Sequence, residues 1–501
     1  MKFWQRALKS VTRRKGRSFI LFLVIFILGN VIAGAVAIQQ STQNVEKETK
    51  KQMGAQATVE MDYEKFDKDQ QKNPEKFEDD KWFTTPPTKE LEAIGKLPYV
   101  KYYDMSISAF IGTNKFKAYS PEEGGVSYGG SYKYSFNIKG VNRKEVVDLE
   151  EGIIKLESGE TFTDKAIKDG ENTVLISREV AEANNLSVGD QVAIDVTGEV
   201  FSEEMMSEDN EEPATPEIAT FDFPVKVGGI FSVVKKENKE KSKDEGMDEE
   251  EWRAVEQINT LYMPNELVKA LNKEQSQKIW KMSEEDLALQ ESQDYYQVTY
   301  VLKSVDDVEA FREEANALIS NEYYQVFAST DQYEQIAGGM KKLGTISKYV
   351  VIIAALATIL IISLVVLLFL RDRKHELGIY LSLGESRTEI IGQIVVELLL
   401  TSIIALVLSL VTGNLLGGAV SNSLLQTDWL SNSGDMMNGY IGGYSLNTPN
   451  VSYDDIQSAY KVTFSVGYII SYLLLGLGTV LLSAILPLLY ILRLNPKKIM
   501  M

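Results

Sequence analysis

RDRKHELGIYLSLGESRTEIIGQIVVE, Arg371 to Glu397, lies between two long apolar runs, and its reading decides the architecture. The run before it, 346–370, has 25 residues with only Ser347, Lys348, Tyr349, Thr358 and Ser363 as polar interruptions, enough to cross a bilayer. Arg371, Arg373, Lys374 and Arg387 crowd the connection, and basic residues beside membrane helices mark the cytoplasmic side. Leu377, Tyr380, Leu381 and Gly384 recur at i, i+3, i+4 and i+7, which predicts a short helix with one apolar or small face. Gly384 suits a left-handed cap, and Ser386 with Glu389 has the S-x-x-E spacing of a capping box that opens the next helix. The stretch therefore spells span, short surface helix, sharp break, span. Such a helix is either a docking element for a cytoplasmic partner or a plain turn.

Working outward, the 501 residues suggest more than one domain. Apolar runs lie at the two ends, and a polar, acidic stretch fills the middle. The absence of Cys excludes disulfides, thiolate nucleophiles and cysteine metal sites, and the single His, His375, removes most zinc and histidine acid–base chemistry. No metal ligands are assigned. Segments 1–17, 371–389 and 493–501 together hold 14 Lys/Arg and 4 acids, and all three read as cytoplasmic. The remainder, Glu397 apart, holds 38 basic and 66 acidic residues, a balance that repels nucleic acid.

In chain order, residues 1–17 predict a basic amphipathic helix: Phe3, Trp4, Ala7, Leu8 and Val11 form a stripe, with Arg6, Lys9, Arg13, Arg14 and Lys15 off it. It suits the headgroup region, so membrane lipids are among its partners. The first span is 18–38; Ala35-Val-Ala37 resembles a signal-peptide cleavage site, but the run is longer than a usual signal core. Asn30 and Gly34 are awkward against lipid and are expected to face another helix, in a dimer or within the same chain. Residues 39–345 form an extracytoplasmic α+β domain on a helical stalk, with acidic insertions at 202–219 and 235–251 too poor in apolar residues to order themselves. Within it, 99–110 and 115–119 read as strands. The second span is 346–370, the connection 371–389 and the third span 390–418. Glu397 and Gln393 lie one turn apart in that third span, where an ionisable group is functional, paired, or close enough to the end to snorkel. An outer loop, 419–463, leads to the fourth span, 464–492, and a cytoplasmic tail, 493–501.

No G-x-x-x-x-G-K-[ST] loop occurs, so ATP phosphates are not cradled in the usual way. Gly125-Val-Ser127-Tyr-Gly129 fits G-x-S-x-G, but His375 is expected across the membrane from it, and a glycine-rich turn is the better reading.

The pattern R-x-R-x-x-E-L-G-I-x-x-S-L-G-E-S-R-x-E-I from Arg371 to Ile390, with Glu397 on the following helix, resembles the FtsX/MacB-type permeases of ABC transporters. FNIKGVNR (136–143), IIKLESGETF (153–162), ENTVLISREVAEANNLSVGDQVAI (171–194), FPVKVGGIF (223–231) and LYMPNEL (261–267) resemble the MacB periplasmic core. SVTRRKGRSFILFLVIFILGNVIAGAVAIQQST (10–42) is similar to Gram-positive Vex-type members.

The resemblance implies a multi-pass cell-membrane protein with both termini cytoplasmic. It has a four-span α-helical domain and a MacB-like α+β domain between spans one and two. It also implies a separate ABC ATPase dimer that binds ATP and Mg, no cofactor in this chain, and a second permease, identical or different. A membrane-fusion or other extracytoplasmic protein is a further partner. ATPase coupling would fall to Arg373, Glu376, Leu377, Tyr380, Leu381 and Gly384, with Leu377, Tyr380 and Leu381 as anchors and Arg373 and Glu376 at the rim. The implied function is mechanical transmission for export of an amphipathic compound or peptide. The alternative is FtsX-like signalling to a cell-wall hydrolase or an envelope-stress response.

Overall fold

A computed structural model of the chain describes residues 3–77, 84–121, 131–200, 217–234, 249–292, 295–331, 333, 338–425, 460, 462, 464–485 and 487–488. Most of the two acidic insertions, Gly125–Gly129, most of the 419–463 loop, and the tail 493–501 lie outside these residues. The chain divides into two units. One contains the apolar helices, and the other spans 52–331.

Among the described residues, six helices build the first unit: α1 (Phe3–Arg13), α2 (Lys15–Met53), α3 (Gly338–Asp372), α4 (Lys374–Ser382), α5 (Arg387–Leu425) and α6 (Val466–Ser483). Four of them, α2, α3, α5 and α6, are long and apolar enough to cross a membrane. At 1.5 Å per residue the 39 residues of α2 reach about 58 Å, twice a hydrocarbon core, so its polar part beyond Ile38 extends past the apolar run. Beside it, a Cβ at Gly344 of α3 would lie 3.2 Å from Thr42. Tyr468, Tyr472, Ile25, Ile32, Ile362 and Leu406 are buried in one core shared by the spans. Leu356, Leu360, Leu364 and Leu368, at fourfold spacing on α3, are exposed, a stripe that a bilayer covers.

Small residues let α2 and α5 approach closely. A Cβ on Gly417 would meet Gly34 backbone at 2.8 Å, and one on Gly413 would meet Ala33 at 2.5 Å. Asn30 Nδ2 donates to Phe26 O at 2.7 Å, and its Oδ1 accepts from Thr412 at 2.6 Å. Asn30 and Gly34, expected to face another helix, pack on the third span of their own chain. An amide that lipid would leave unpaired is satisfied by a hydroxyl on the neighbouring helix.

The described residues of the second unit form two sheets. Strands β1 (Gln56–Met61), β2 (Val100–Ser106), β10 (Gln297–Leu302) and β11 (Tyr324–Ala328) form an antiparallel sheet in the order β11-β1-β10-β2. The other strands are β3 (Ser108–Thr113), β4 (Tyr134–Val141), β5 (Ile154–Gly159), β6 (Thr173–Ser177), β7 (Gln191–Glu199), β8 (Ile218–Val233) and β9 (Thr260–Pro264). They run β5-β8-β6-β9-β4-β3-β7, and β7 also pairs with the first half of β8, so the pairing closes on itself. Helix Arg178–Asn184 follows β6 directly because Ser177 Oγ accepts from Val180 N at 3.1 Å.

Two strand expectations change. Residues 99–110, expected as one strand, divide at Ile107 between the two sheets, because Asn265 accepts from Ile107 N and donates to Met105 O. Residues 115–119 are irregular, since the Asp195 carboxylate captures the backbone N–H groups of Asn114, Lys115 and Phe116.

Candidate functional site

The connection between α3 and α5 is built as a rigid corner. Helix α4 has only 9 residues and ends at Gly384, whose φ is +91°. Glu385 N donates to Tyr380 O at 3.1 Å and Gly384 N to Leu381 O at 3.3 Å, the paired bonds of a Schellman cap. Two residues on, Glu389 N donates to Ser386 Oγ at 3.3 Å while Ser386 N donates back to Glu389 Oε2 at 3.4 Å. These reciprocal caps redirect the chain from α4 into α5 within four residues.

The polar residues then tie the corner to the spans. Arg373 is buried, and its Nη1 donates to Glu397 Oε2 on α5 at 2.8 Å. Gln393 Nε2 donates to the other oxygen of Glu397 at 3.0 Å. Arg373 Nε also reaches Glu376 at 3.3 Å, and Arg14 Nη2 donates to Glu376 at 2.5 Å. Burial works against the charge on Glu376, but Arg373 and Arg14 outweigh it and hold its pKa below the ordinary value. Burial likewise opposes the charge of Arg373, and Glu397 and Glu376 outweigh it, so its pKa is raised. In this network Glu397 is paired; it does not snorkel.

Two expectations about this helix are corrected. Leu377, expected as a docking anchor, is buried in the core of the spans, and Tyr380 and Leu381 are partly covered by the same core. Arg373, expected at a polar rim, points inward to Glu397. The apolar stripe faces its own membrane domain because burying those side chains there removes them from water. The apolar residues left exposed on this corner are Ile379 and Leu383, one turn apart, with Gly384 beside them.

The contribution of α1 was missed in the sequence. It packs on α5, and Ala7 is fully buried. Arg6 pairs with Glu385 and lies over the Tyr380 ring, while Arg17, at the start of α2, pairs with Asp372. The signal available was only a complement: basic residues on 1–17 and acids on 371–389. Trp4 and Leu8 remain exposed on α1.

The outer unit has its own buried charges. Asp148 accepts from Lys139 Nζ at 3.0 Å and from Tyr262 OH at 2.5 Å. Asp104 accepts from Asn142 N and Met105 N, each at 3.0 Å, and burial lifts its pKa to about 6 against those donors. Among the described residues no group of three or more His, Asp and Glu is placed to hold a metal ion.

Comparison with known proteins agrees with this layout. Residues 21–318 match the MacB-like periplasmic core domain, and residues 349–496 match the FtsX-like permease C-terminal region. A Bacillus subtilis (strain 168) protein described as an uncharacterized ABC transporter permease, YclI, is 25% identical over 438 residues, covering 83% of this chain and 80% of that one. Two solved structures are also similar. The extracellular domain of the noncanonic ABC-type transporter YknZ from Gram-positive bacteria has 15% identity and a TM-score of 0.29, over 54% of this chain and 99% of that one. The periplasmic region of MacB from Actinobacillus actinomycetemcomitans has 13% identity and a TM-score of 0.29, over 56% and 91%. The chain belongs to the MacB-like periplasmic core family and carries an FtsX-like permease region after it, which makes it a membrane-embedded ABC transporter permease with an extracytoplasmic domain.

Proposed function

We propose that this permease passes the ATP-driven motion of a separate ATPase to its extracytoplasmic domain through the 371–397 connection, for export of an amphipathic compound or peptide captured outside. The connection and both termini lie in the cytoplasm in this reading, as the basic residues of 1–17, 371–389 and 493–501 favour. ATP and Mg belong to the ATPase dimer, and two permeases, identical or different, work together.

The observation that carries the proposal is the corner itself. It is locked to α5 by Arg373–Glu397 and by reciprocal caps, yet it leaves Ile379 and Leu383 bare. A push on a helix so fixed moves the spans rather than bending a loop. The apolar side chains packed between the spans favour mechanical transmission over passage through this chain.

In this reading Ile379 and Leu383 are the anchors, Arg373 and Glu376 tie the helix inward, and Tyr380, Leu381 and Gly384 shape it. Interface energy concentrates in a few apolar or aromatic anchors, so Ile379→Ser with Leu383→Ser should cost about 2 to 4 kcal/mol of docking. The test is co-purification of the ATPase with the double variant. Loss of the ATPase while the permease stays folded is expected. Undiminished binding would move the docking site elsewhere.

A further inference from the structure

We propose that a cavity among α1, α2, α3 and α5 binds the phosphate of an anionic phospholipid from the leaflet at the basic ends of the spans. This inference does not depend on ATPase coupling. The cavity has a volume of about 60 Å³, room for a phosphate group but not for a whole lipid. Its polar side carries Arg14, Arg17, Arg373 and Glu397, and its apolar side carries Leu21, Val366, Phe369 and Leu398. Guanidinium groups thus meet span side chains where a headgroup meets its acyl chains.

The charges facing the cavity are three arginines and the Glu397 carboxylate. The carboxylate partners of the arginines are Asp372 for Arg17, Glu376 for Arg14 and Arg373, and Glu397 for Arg373. These six groups balance, and Arg13, Lys15, Arg371, Lys374 and His375, next to them in sequence, are exposed. The surroundings are therefore cationic.

One atom asks for a further acceptor. Arg17 Nη1 is enclosed and has no hydrogen-bond partner, while its Nη2 spans 3.2 Å to Asp372. An enclosed donor without an acceptor is costly, and a phosphate oxygen is the acceptor that a guanidinium edge fits best. A free phosphate would meet the same edge but gain nothing from Leu21, Val366, Phe369 and Leu398. Those walls select a phosphate that brings acyl chains with it. Basic pockets between membrane helices on the cytoplasmic side are suited to anionic headgroups.

The test uses the full-length chain, purified and delipidated, with lipid retention read by native mass spectrometry after adding phosphatidylglycerol or phosphatidylcholine. One phosphatidylglycerol should be held in preference to phosphatidylcholine. Arg17→Gln should weaken it about tenfold, the loss of one charge-assisted hydrogen bond. Ser10→Trp, at a half-buried position lining the cavity, should weaken it with every charge in place, whereas Arg13→Gln, an exposed charge, should not. Thermal unfolding of each variant separates lost binding from lost fold. If Arg17→Gln does not fold, Ser10→Trp decides. Equal losses for Arg13→Gln and Arg17→Gln would reduce the effect to diffuse charge and overturn the site. Equal retention of both lipids would overturn its anionic character, and full displacement by inorganic phosphate would make it a free-anion site instead.

Discussion

Glu397 in the membrane unit and Asp148 in the outer unit are both carboxylates withdrawn from water, and they are compensated differently. Glu397 depends on one guanidinium, Arg373, brought from 24 residues earlier, and on one amide, Gln393. Asp148 receives a cation, Lys139, on both oxygens, and a phenol, Tyr262, to which Gln257 donates in turn at 2.5 Å. Removing the cation therefore leaves different things behind. In the outer unit a buried phenol still donates to the carboxylate. In the membrane unit the carboxylate is left with an amide in a span. The inner arrangement joins the corner to α5 through one ion pair, whereas the outer one is cross-braced within its core.

The sharpest way to break that contrast is to delete both cations. Arg373→Ala should destabilise the membrane unit by about 3 to 5 kcal/mol, the usual penalty for orphaning a buried charge. Arg373→Met combined with Glu397→Leu should recover most of it, since an apolar pair removes the charge as well. Lys139→Met should cost less, about 1 to 3 kcal/mol, because Tyr262 remains as a donor. Thermal unfolding of the detergent-purified chain reads all three. Equal losses for Arg373→Ala and Lys139→Met would remove the distinction.

Asp104 sharpens it from the other side, since its carboxylate oxygen is held by backbone donors rather than by a direct ion pair. Its folded pKa, about 6, lies above the unfolded value near 3.9. The native state then holds the proton more tightly. The stabilisation from Asp104 is complete below about pH 4 and is lost as pH rises through about 6. Two pH units correspond to about 3 kcal/mol. Asp104→Asn should flatten this dependence in the unfolding midpoint of the outer unit between pH 4 and pH 7. An unchanged slope would assign the titration to another group.

A modest effect is expected at Gly384, where an added Cβ would meet no atom within 4 Å, so a side chain faces only the cost of positive φ. Gly384→Val should cost about 1 to 3 kcal/mol by re-aiming the corner. ATPase binding should persist while ATP hydrolysis no longer reaches the outer domain, a split that co-purification and transport assays together reveal.

These residues also show what the sequence could and could not disclose. The caps at Gly384, Ser386 and Glu389 were legible because each depends on neighbours within one or two turns. The stripe Leu377, Tyr380, Leu381 was legible as a face, but periodicity says which residues share a face and not which way it turns. The pairs Arg6–Glu385 and Arg14–Glu376 join positions 379 and 362 residues apart and left no local trace. Asn265 divides 99–110 from 158 residues away, so what reads as one strand concealed two strands in two sheets.

In the proposed cycle, ATP in a separate subunit moves the outer domain through this corner. The chain has no Cys, so a single cysteine replacing Lys165, exposed in the outer domain, can carry a spin label without interference. The distance between labels on the two permeases of the complex in lipid is measured without nucleotide and with ATP trapped by vanadate. A nucleotide-dependent change is expected in the otherwise unaltered complex and should vanish with Ile379→Ser and Leu383→Ser. A change of the same size in that variant, or none in the parent complex, would contradict transmission through the 371–397 connection.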